Sequence, residues 1–454
     1  MSAKKSESMT YVLHRSLKSD PEYAVAGNGI MLTLQDGRQI IDAAGGAAVS
    51  CLGHGHPRVV DAITRQAKLL DYVHTMFVTS DPAEALAEEI LGNEPGGLTH
   101  AFFTSSGSEA MESALKMARQ YHVERGEPQR VHYISRRQSY HGNNFGTMAL
   151  SGHVARRAPY EAILPTGFSQ VSPCFPYRYQ GESESDNAYV ARLAAELEAE
   201  FQRIGPERVI AFAAETVVGA TAGCVVPVPG YFKAMREVCD RHGALLILDE
   251  VMCGMGRTGT CHAWEQEGVA PDLQAVAKGL GGGYAPVGAL LVSRKVIDAV
   301  AAGSGAFVHG HTYQAHPIAC AAALEVQRII REEALLDNVK VRGEQLRAGL
   351  IAALGRHPHV GDIRGRGLFL ALEFVADRGT RTPFASSIGV AARIKATGLA
   401  NGIALYPNGG TIDGRRGDHV VIAPPYTVSE SQVDDIVERV AAAISSATVD
   451  HVRS

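Results

Sequence analysis

Two short runs of residues constrain this chain most, because each ends in a side chain that can do chemistry. Residues 244–248 (ALLIL) are apolar on both faces, as in a strand buried within a parallel sheet, and Asp249 follows them. Residues 273–277 (LQAVA) form a second run, which ends at Lys278 and a glycine-rich loop. Ligands of open α/β sheets bind beyond the carboxyl ends of the strands. The sequence therefore predicts a carboxylate and an amine at such an edge.

The chemistry that needs this pair is that of pyridoxal phosphate. A lysine among apolar residues and glycines is partly desolvated, which lowers its pKa and frees the amine for Schiff-base formation. An acid nearby keeps a pyridinium nitrogen protonated, and pyridoxal phosphate requires both partners. Taken alone, Asp249 and Lys278 leave open the alternative of a surface lysine and a strand-end acid that never meet.

A run of small polar residues precedes an amphipathic helix predicted to end near residue 121. Ser106, Gly107 and Ser108 occupy its start, where free backbone N–H groups and the helix dipole favour a phosphate. An ordinary N-cap is the alternative interpretation. Further along, Tyr140 and His141 follow an apolar segment, and an aromatic ring at a strand end suits contact with a flat cofactor.

The 454 residues exceed the size of one simple core, which predicts two domains. Strands and helices alternate from about residue 100 to 325, as in a doubly wound parallel sheet. We predict an N-terminal segment (1–60) that contributes to a small domain, a large domain (61–325) and a C-terminal α+β small domain (326–454). A hairpin turn at Asp36-Gly37 is expected within the first segment.

Charge and composition exclude several classes of partner. The net charge of −5 gives no basic surface for nucleic acid or an anionic membrane. No apolar run approaches the ~20 residues of a membrane helix, and the first 16 residues lack a hydrophobic signal core. The seven cysteines form no CxxC pair, which favours reduced thiols. We therefore expect a cytoplasmic protein.

Two other motifs are interpreted as structural. Residues 254–259 (GMGRTG) fit the GxGxxG pattern of dinucleotide sites, but the residues that follow do not make the expected crossover helix. This argues against a nicotinamide-dependent dehydrogenase. His54 and His56 lie close together without a third ligand nearby, so a turn before a helix is favoured and no metal site is predicted.

Together the motifs resemble the class III (ω-type) aminotransferases of pyridoxal-phosphate fold type I. The resemblance covers nearly the whole chain and implies the aspartate-aminotransferase-like α/β fold, with a large domain around a mostly parallel seven-stranded sheet and a smaller α+β domain. The matching segments occur in family order: SGSEA (106–110), YHG (140–142), DEV (249–251), GRTG (256–259), PD (271–272), KG (278–279), HTY (311–313) and APP (423–425).

The resemblance also implies roles for individual residues. Lys278 would form the Schiff base and shuttle the proton between substrate and cofactor, while Asp249 would bind the pyridinium N–H. Tyr140 and Val251 would contact the two faces of the ring. The cofactor set further comprises Ser106, Gly107, Ser108, His141, Glu215 and Thr312. Thr312 would reach the phosphate in a neighbouring subunit, which implies a homodimer with active sites at its interface, or a tetramer.

For the substrate pocket, the resemblance points to Tyr23, Leu52, Phe77 and an arginine in the loop at residues 409–419. Arg416 is the predicted carboxylate ligand and Arg415 the alternative, because a guanidinium binds carboxylates in bidentate fashion. Tyr160 is a further candidate for the pocket wall. A small residue at position 52, where relatives place an aromatic, would admit larger donors.

The implied function is transfer of an amino group from an amine or amino acid to a keto acid such as pyruvate, in a ping-pong cycle. An amino-acid racemase or epimerase, a decarboxylase or a lyase would share Lys278, Asp249 and the phosphate site. These same-fold enzymes differ in which bond at the substrate Cα breaks. A binding protein without cofactor is a further alternative, disfavoured because every cofactor residue is present.

Overall fold

Three short strands open the part of the chain that the computed structural model describes, which is residues 11–18 and 20–448. They are β1 (Ala24–Asn28), β2 (Met31–Leu34) and β3 (Gln39–Asp42), paired antiparallel in chain order. The predicted turn between β2 and β3 is present, and Gly37 occupies it with φ of 87°, a conformation that favours glycine. Residues 1–10 and Ser19, which belong to the predicted segment 1–60, lie outside the described residues.

A seven-stranded sheet organises the middle of the chain. Its strands run in the order β4-β10-β9-β8-β7-β5-β6, and β10 alone is antiparallel to its neighbours. This confirms the predicted mostly parallel sheet. The strands are β4 (Leu98–Thr104), β5 (His132–Arg136), β6 (Phe168–Val171), β7 (Val209–Glu215), β8 (Leu245–Asp249), β9 (Leu273–Val276) and β10 (Gly288–Ser293).

Both faces of this sheet are covered, which is why its central strands are apolar throughout. Phe212 and Leu248 belong to one hydrophobic cluster, whereas Ala213 and Ile247 belong to another on the opposite face. The helices of the chain are α1 (Gly45–Ala48), α2 (Pro57–Leu69), α3 (Asp81–Leu91), α4 (Gly107–Glu124), α5 (Phe145–Leu150), α6 (Val154–Arg157), α7 (Pro176–Tyr179), α8 (Asp186–Ile204), α9 (Tyr231–Arg241), α10 (Arg294–Ala302), α11 (Pro317–Glu332), α12 (Leu335–Leu354), α13 (Val390–Ala400) and α14 (Glu430–Thr448).

The C-terminal part forms a smaller sheet with helices packed against it. Strands β11 (Val360–Arg366), β12 (Phe369–Phe374), β14 (Tyr406–Gly409) and β15 (Asp418–Ile422) lie in the antiparallel order β11-β12-β15-β14. The two-residue strand β13 (Ile403–Ala404) pairs in parallel with β3. The N-terminal strands thus join the C-terminal part, while the predicted domain limits at residues 60 and 325 stay predictions.

The sheet brings the chemistry-bearing residues to one edge. Asp249 ends β8, Lys278 follows β9 by two residues, and Tyr140 follows β5. The N-terminus of α4 lies three residues beyond β4. Among the described residues, no helix is both long and apolar enough to cross a bilayer. The cytoplasmic location stays a prediction.

Candidate active site

A cavity of about 480 Å³ lies at this edge of the sheet. Around it the structure brings together predicted residues that are far apart in sequence. Those that line the cavity are Ser106, Gly107, Ser108, Tyr140, His141, Glu215, Asp249, Val251 and Lys278.

Asp249 is buried in the cavity wall and held by two hydrogen bonds. Its Oδ1 accepts the Val251 backbone N–H at 3.0 Å, and its Oδ2 lies 2.8 Å from His141 Nδ1. His141 is itself buried, and its Nε2 has no partner within the described part of the chain. Nδ1 therefore carries the proton that binds the carboxylate in the neutral ring. These contacts fix the orientation of the carboxylate toward the cavity.

Lys278 follows β9 in a backbone conformation that is unusual for a non-glycine residue. Its φ is 44°, in the left-handed region, which costs on the order of 1–3 kcal/mol when the surroundings impose it. The N–H of Gly282 donates to the Lys278 carbonyl at 2.8 Å, and that of Leu280 donates to the Ala277 carbonyl at 2.8 Å. The tight turn after the strand thus places the amine at the cavity wall.

The environment of the Lys278 amine favours its unprotonated form, which is the nucleophilic one. Burial lowers its pKa to about 8, although the charges of Asp249 and Glu215 oppose that shift. An ordinary lysine has a pKa of about 10.4. At neutral pH, a much larger fraction of Lys278 than of an exposed lysine is the free amine.

This pKa predicts how the reactivity of Lys278 depends on pH. In cofactor-free protein, acetylation of the amine by a limiting dose of acetic anhydride is expected to rise with pH and reach half its maximum near pH 8. The direction follows because only the unprotonated amine reacts, and lowering the pKa moves its appearance to lower pH. Peptide mass spectrometry measures the extent, with the exposed Lys340 as internal reference. Matching pH profiles at the two lysines would contradict the prediction.

The N-terminus of α4 presents backbone donors to the same cavity. The first intrahelical bond runs from Ala110 N to Ser106 O, so the N–H groups of Gly107 and Ser108 precede it. A Cβ built on Gly107 would lie 2.7 Å from Val251 Cγ1. Only glycine lets the backbone approach Val251 this closely, and the arrangement is that of an anion site at a helix N-terminus.

Glu215 connects the loop of Tyr140 to the sheet. Its Oε1 accepts the Tyr140 backbone N–H at 3.0 Å, and its Oε2 accepts that of Gly219 at 2.8 Å. Burial raises the pKa of this carboxyl, while His141 opposes the rise. Arg136, which is buried, donates to the Glu215 carbonyl rather than to its side chain. Glu215 therefore positions the aromatic wall of the cavity.

Comparison with known proteins agrees with this geometry. A family model described as aminotransferase class-III matches residues 17–444.

The chain belongs to the class-III aminotransferases.

Two solved structures and one curated relative illustrate the family. An (S)-enantioselective ω-transaminase from Thermomicrobium roseum superposes with a TM-score of 0.89 at 36% identity, covering 95% of this chain and 94% of that one. The ω-transaminase from Pseudomonas jessenii in complex with PMP superposes with a TM-score of 0.89 at 34% identity, covering 94% of this chain and 93% of that one. An uncharacterized aminotransferase of Schizosaccharomyces pombe is 47% identical over 98% of this chain and 97% of its own. The predicted family, enzyme class and fold type I are confirmed.

Several residues predicted for the pocket of this aminotransferase lie outside the cavity lining. Leu52 is 3% exposed and packs in the hydrophobic cluster of the C-terminal part. Tyr23, Tyr160 and Phe77 are exposed at the surface, and Thr312 lies in an exposed loop. For Leu52, the spacing of residues in the sequence did not show which side chains of the segment after β3 point toward the cavity.

Arg416 also lies outside the lining. Its side chain is 64% exposed and pairs with Asp413, the Nε to Oδ2 distance being 2.6 Å. The backbone N–H groups of Arg415 and Arg416 both donate to Asp413 as well. The loop therefore holds this arginine locally, and contact between either arginine and a substrate requires the side chain to move.

The wall contains residues that the sequence interpretation missed. Ala47 and Val49 line the cavity near the position where Leu52 was expected, and Tyr406 from β14 closes the side toward the C-terminal part. Arg156 from α6 lines it as well. The sequence did contain an indication for Ala47 and Val49, because small residues follow a pair of glycines directly after a predicted strand. Arg156 gave none beyond a pair of arginines in a polar segment.

The glycine-rich segment at 254–259 has a structural role in this aminotransferase. Gly256 and Gly259 both adopt φ of 97°. The turn they form places buried Arg257 so that its Nη1 donates to the carbonyls of Leu368 and Pro424 at 3.2 and 2.5 Å. The motif thus fastens the C-terminal part to the large sheet.

Proposed function

We propose that this class-III aminotransferase uses pyridoxal phosphate to move an amino group from an amine or amino acid to a keto acid such as pyruvate, in a ping-pong cycle. One observation carries the proposal: the Lys278 amine, the Asp249 carboxylate and the N-terminus of α4 line the same cavity. Class-III aminotransferases depend on this cofactor, and a related ω-transaminase is known in complex with PMP.

The residues present fit the cofactor. The N–H groups of Gly107 and Ser108 would hold its phosphate, with Ser106 capping the helix by accepting the Glu109 N–H. Asp249, oriented by His141, would bind the ring nitrogen. Tyr140 and Val251 supply an aromatic and an aliphatic surface to the cavity. When bound, pyridoxal phosphate supplies an electron sink for the substrate Cα.

The roles of the protein side chains follow from their positions. Lys278 would take a proton from the substrate Cα and return one to the former aldehyde carbon of the cofactor, since its lowered pKa suits acid–base work near neutral pH. Glu215 holds the Tyr140 loop through the backbone N–H, which keeps the ring in place. Proton transfer thus depends on Lys278, and substrate orientation depends on the surrounding wall.

An absorbance titration tests the function. The purified holoenzyme is mixed with a panel of amines in the absence of any keto acid. A yellow band that converts to the pyridoxamine form, with release of one equivalent of carbonyl product, supports amine transfer. A yellow protein whose band persists with every amine contradicts it and favours a same-fold racemase, decarboxylase or lyase.

We also propose a homodimer in which Phe77 and Thr312 contribute to the partner's active site. An exposed apolar surface supports this, because Met76, Phe77 and Val308 are between 75% and 81% exposed. Tyr72 joins the two segments by donating its hydroxyl to the Thr312 carbonyl at 2.9 Å. Surfaces of this kind mark association sites. Light scattering on the eluting protein is expected to give two chain masses, with four as the tetrameric alternative, and one chain mass would contradict the proposal.

Arg416 remains the proposed mobile ligand for a substrate carboxylate, with Arg415 as alternative. Glycines flank the pair on both sides, at Gly414 and Gly417 with φ of 80° and 87°, so the loop backbone has freedom to rearrange. An Arg416→Ala enzyme with unchanged activity toward pyruvate would contradict this role.

The range of amine donors is expected to depend on Ala47 rather than on Leu52. Ala47→Trp would fill part of the cavity, and we expect about 10-fold or greater loss of kcat/KM for bulky donors with small donors retained. Ala47 has φ of −158°, which any residue adopts. Kinetics with ethylamine and 1-phenylethylamine measure the change. Equal loss for both donors would indicate distortion of the fold instead of a narrower pocket.

A further inference from the structure

A guanidinium lies in the cavity wall beside the aromatic surface. Arg156 belongs to α6 and lines the cavity together with Tyr140 and Lys278. Its Cζ lies 4.7 Å from the centroid of the Tyr140 ring, over the ring. The side chain is otherwise exposed, so its donors are open to the cavity mouth. Stacking on an aromatic ring orients a guanidinium without occupying its N–H groups.

Within residues 11–18 and 20–448, no carboxylate pairs with Arg156. The adjacent Arg157 differs, because it pairs with Glu161 at 2.8 Å and donates to the carbonyl oxygens of Ala149 and Ser151 at 3.1 and 2.8 Å. Arg157 is therefore a structural residue of the same helix, whereas the guanidinium N–H groups of Arg156 have no acceptor in the part of the chain that the structure describes.

The two acids that line the cavity do not form ion pairs with Arg156. Asp249 is bound to His141 and to the Val251 N–H, and Glu215 is bound to the backbone N–H groups of Tyr140 and Gly219. Arg156 instead adds to the positive field around Lys278 and contributes to lowering the pKa of that amine. The wall around Arg156 is thus complementary to an anion.

We propose that Arg156 binds the carboxylate of the substrate, so that the cavity selects amino acids and keto acids over simple amines. The inference rests on the proposed amine transfer and specifies its substrate class. The planar fork of a guanidinium matches a carboxylate with two parallel hydrogen bonds. Arg156 needs no loop rearrangement for this contact, in contrast to Arg416, which first has to leave Asp413.

The test compares donors that differ only in the carboxylate. Alanine is paired with ethylamine and 4-aminobutanoate with propylamine, and each half-reaction is followed by the absorbance of the holoenzyme. Relative to the simple amine of the same pair, R156Q is expected to raise the half-saturating concentration of the carboxylate-bearing donor about 10- to 100-fold. R156K, which keeps the charge but not the fork, is expected to lie between R156Q and the native enzyme.

Arg157→Gln is the matched control from the same helix. It is expected to lower the melting temperature while leaving the discrimination between paired donors as in the native enzyme. Equal discrimination by R156Q and the native enzyme would overturn the proposal, as would a loss of discrimination found only in R416Q. Loss of bound cofactor from R156Q on dialysis would assign the arginine to the cofactor instead.

A second measurement separates this proposal from the proposed function. Calorimetric titration of the holoenzyme with butanoate, which has a carboxylate and no amine, reads binding without turnover. Weaker binding to R156Q than to R157Q supports the carboxylate site even if no tested amine is converted. Equal binding to both variants overturns it even if amine transfer is established.

Discussion

Replacement of Lys278 by alanine is expected to lower the rate of amine transfer by about 1000-fold or more. In the proposed mechanism the side chain is the acid–base group at the substrate Cα, and loss of such a group costs about 100- to 10,000-fold. Its lowered pKa of about 8 is part of that role, because the free amine is available near neutral pH. An alanine keeps the backbone turn at φ of 44° no worse than lysine does. The fold is therefore expected to persist.

The measurement is single-turnover conversion of the cofactor spectrum by a saturating amine in K278A. Lys340→Ala serves as the matched control, since Lys340 is an exposed lysine that pairs with Asp337 at 3.2 Å on the surface. We expect the control to retain native rates. A K278A enzyme with a tenth or more of native turnover, at a native melting temperature, would show that another group moves the proton.

Replacement of Asp249 by asparagine is the second large effect, with an expected loss of about 100- to 1000-fold in kcat. Asparagine has nearly the same shape but no negative charge to set against a protonated ring nitrogen. Its amide also presents donors where the carboxylate accepts from Val251 N and from His141. One of these buried contacts would be lost, so weaker retention of the cofactor is expected as well.

The D249N enzyme is assayed for kcat and, separately, for cofactor released on dialysis. Asp240→Asn is the matched control, because Asp240 is an exposed acid at the end of α9 that pairs with Arg236. Native kcat in D249N would exclude Asp249 as the partner of the ring nitrogen. Substituting His141 by glutamine is expected to produce a smaller loss in the same direction, because the carboxylate keeps its charge and its Val251 contact.

The sequence predictions succeeded best for segments whose hydrophobic pattern directly reflects their burial in the folded protein. Strands β7, β8 and β9 are apolar because both faces of the sheet are covered, and the same pattern made them visible in the sequence. Strands β6, β11, β13 and β14 were not predicted. β11 reads VGDIRGR and is only partly buried, with Arg364 paired to Asp362 and Glu373. Its place in a sheet depends on partners that are remote in sequence.

The pocket wall shows the same division between local and remote information. Leu52 and Ala47 belong to one short segment, and which of them faces the cavity depends on the backbone turn at Gly46, where φ is 72°. Such conformations are set by packing around the turn and are not encoded by hydrophobic periodicity. The sequence spacing therefore identified the segment after β3 as part of the pocket, but it selected Leu52 instead of Ala47.

By itself the sequence determined the family, the α/β fold class and the proposed reactive pair Lys278 and Asp249. The pair could be located because each residue directly follows an apolar run that is typical of a buried strand. Only the tertiary structure decided which charges remain unpaired. Arg156, Arg157 and Arg416 are the same residue type. Arg156 stacks on Tyr140 and pairs with no acid among the described residues, whereas the other two are paired with acids. Pairing depends on distances between segments that the chain brings together only when it folds.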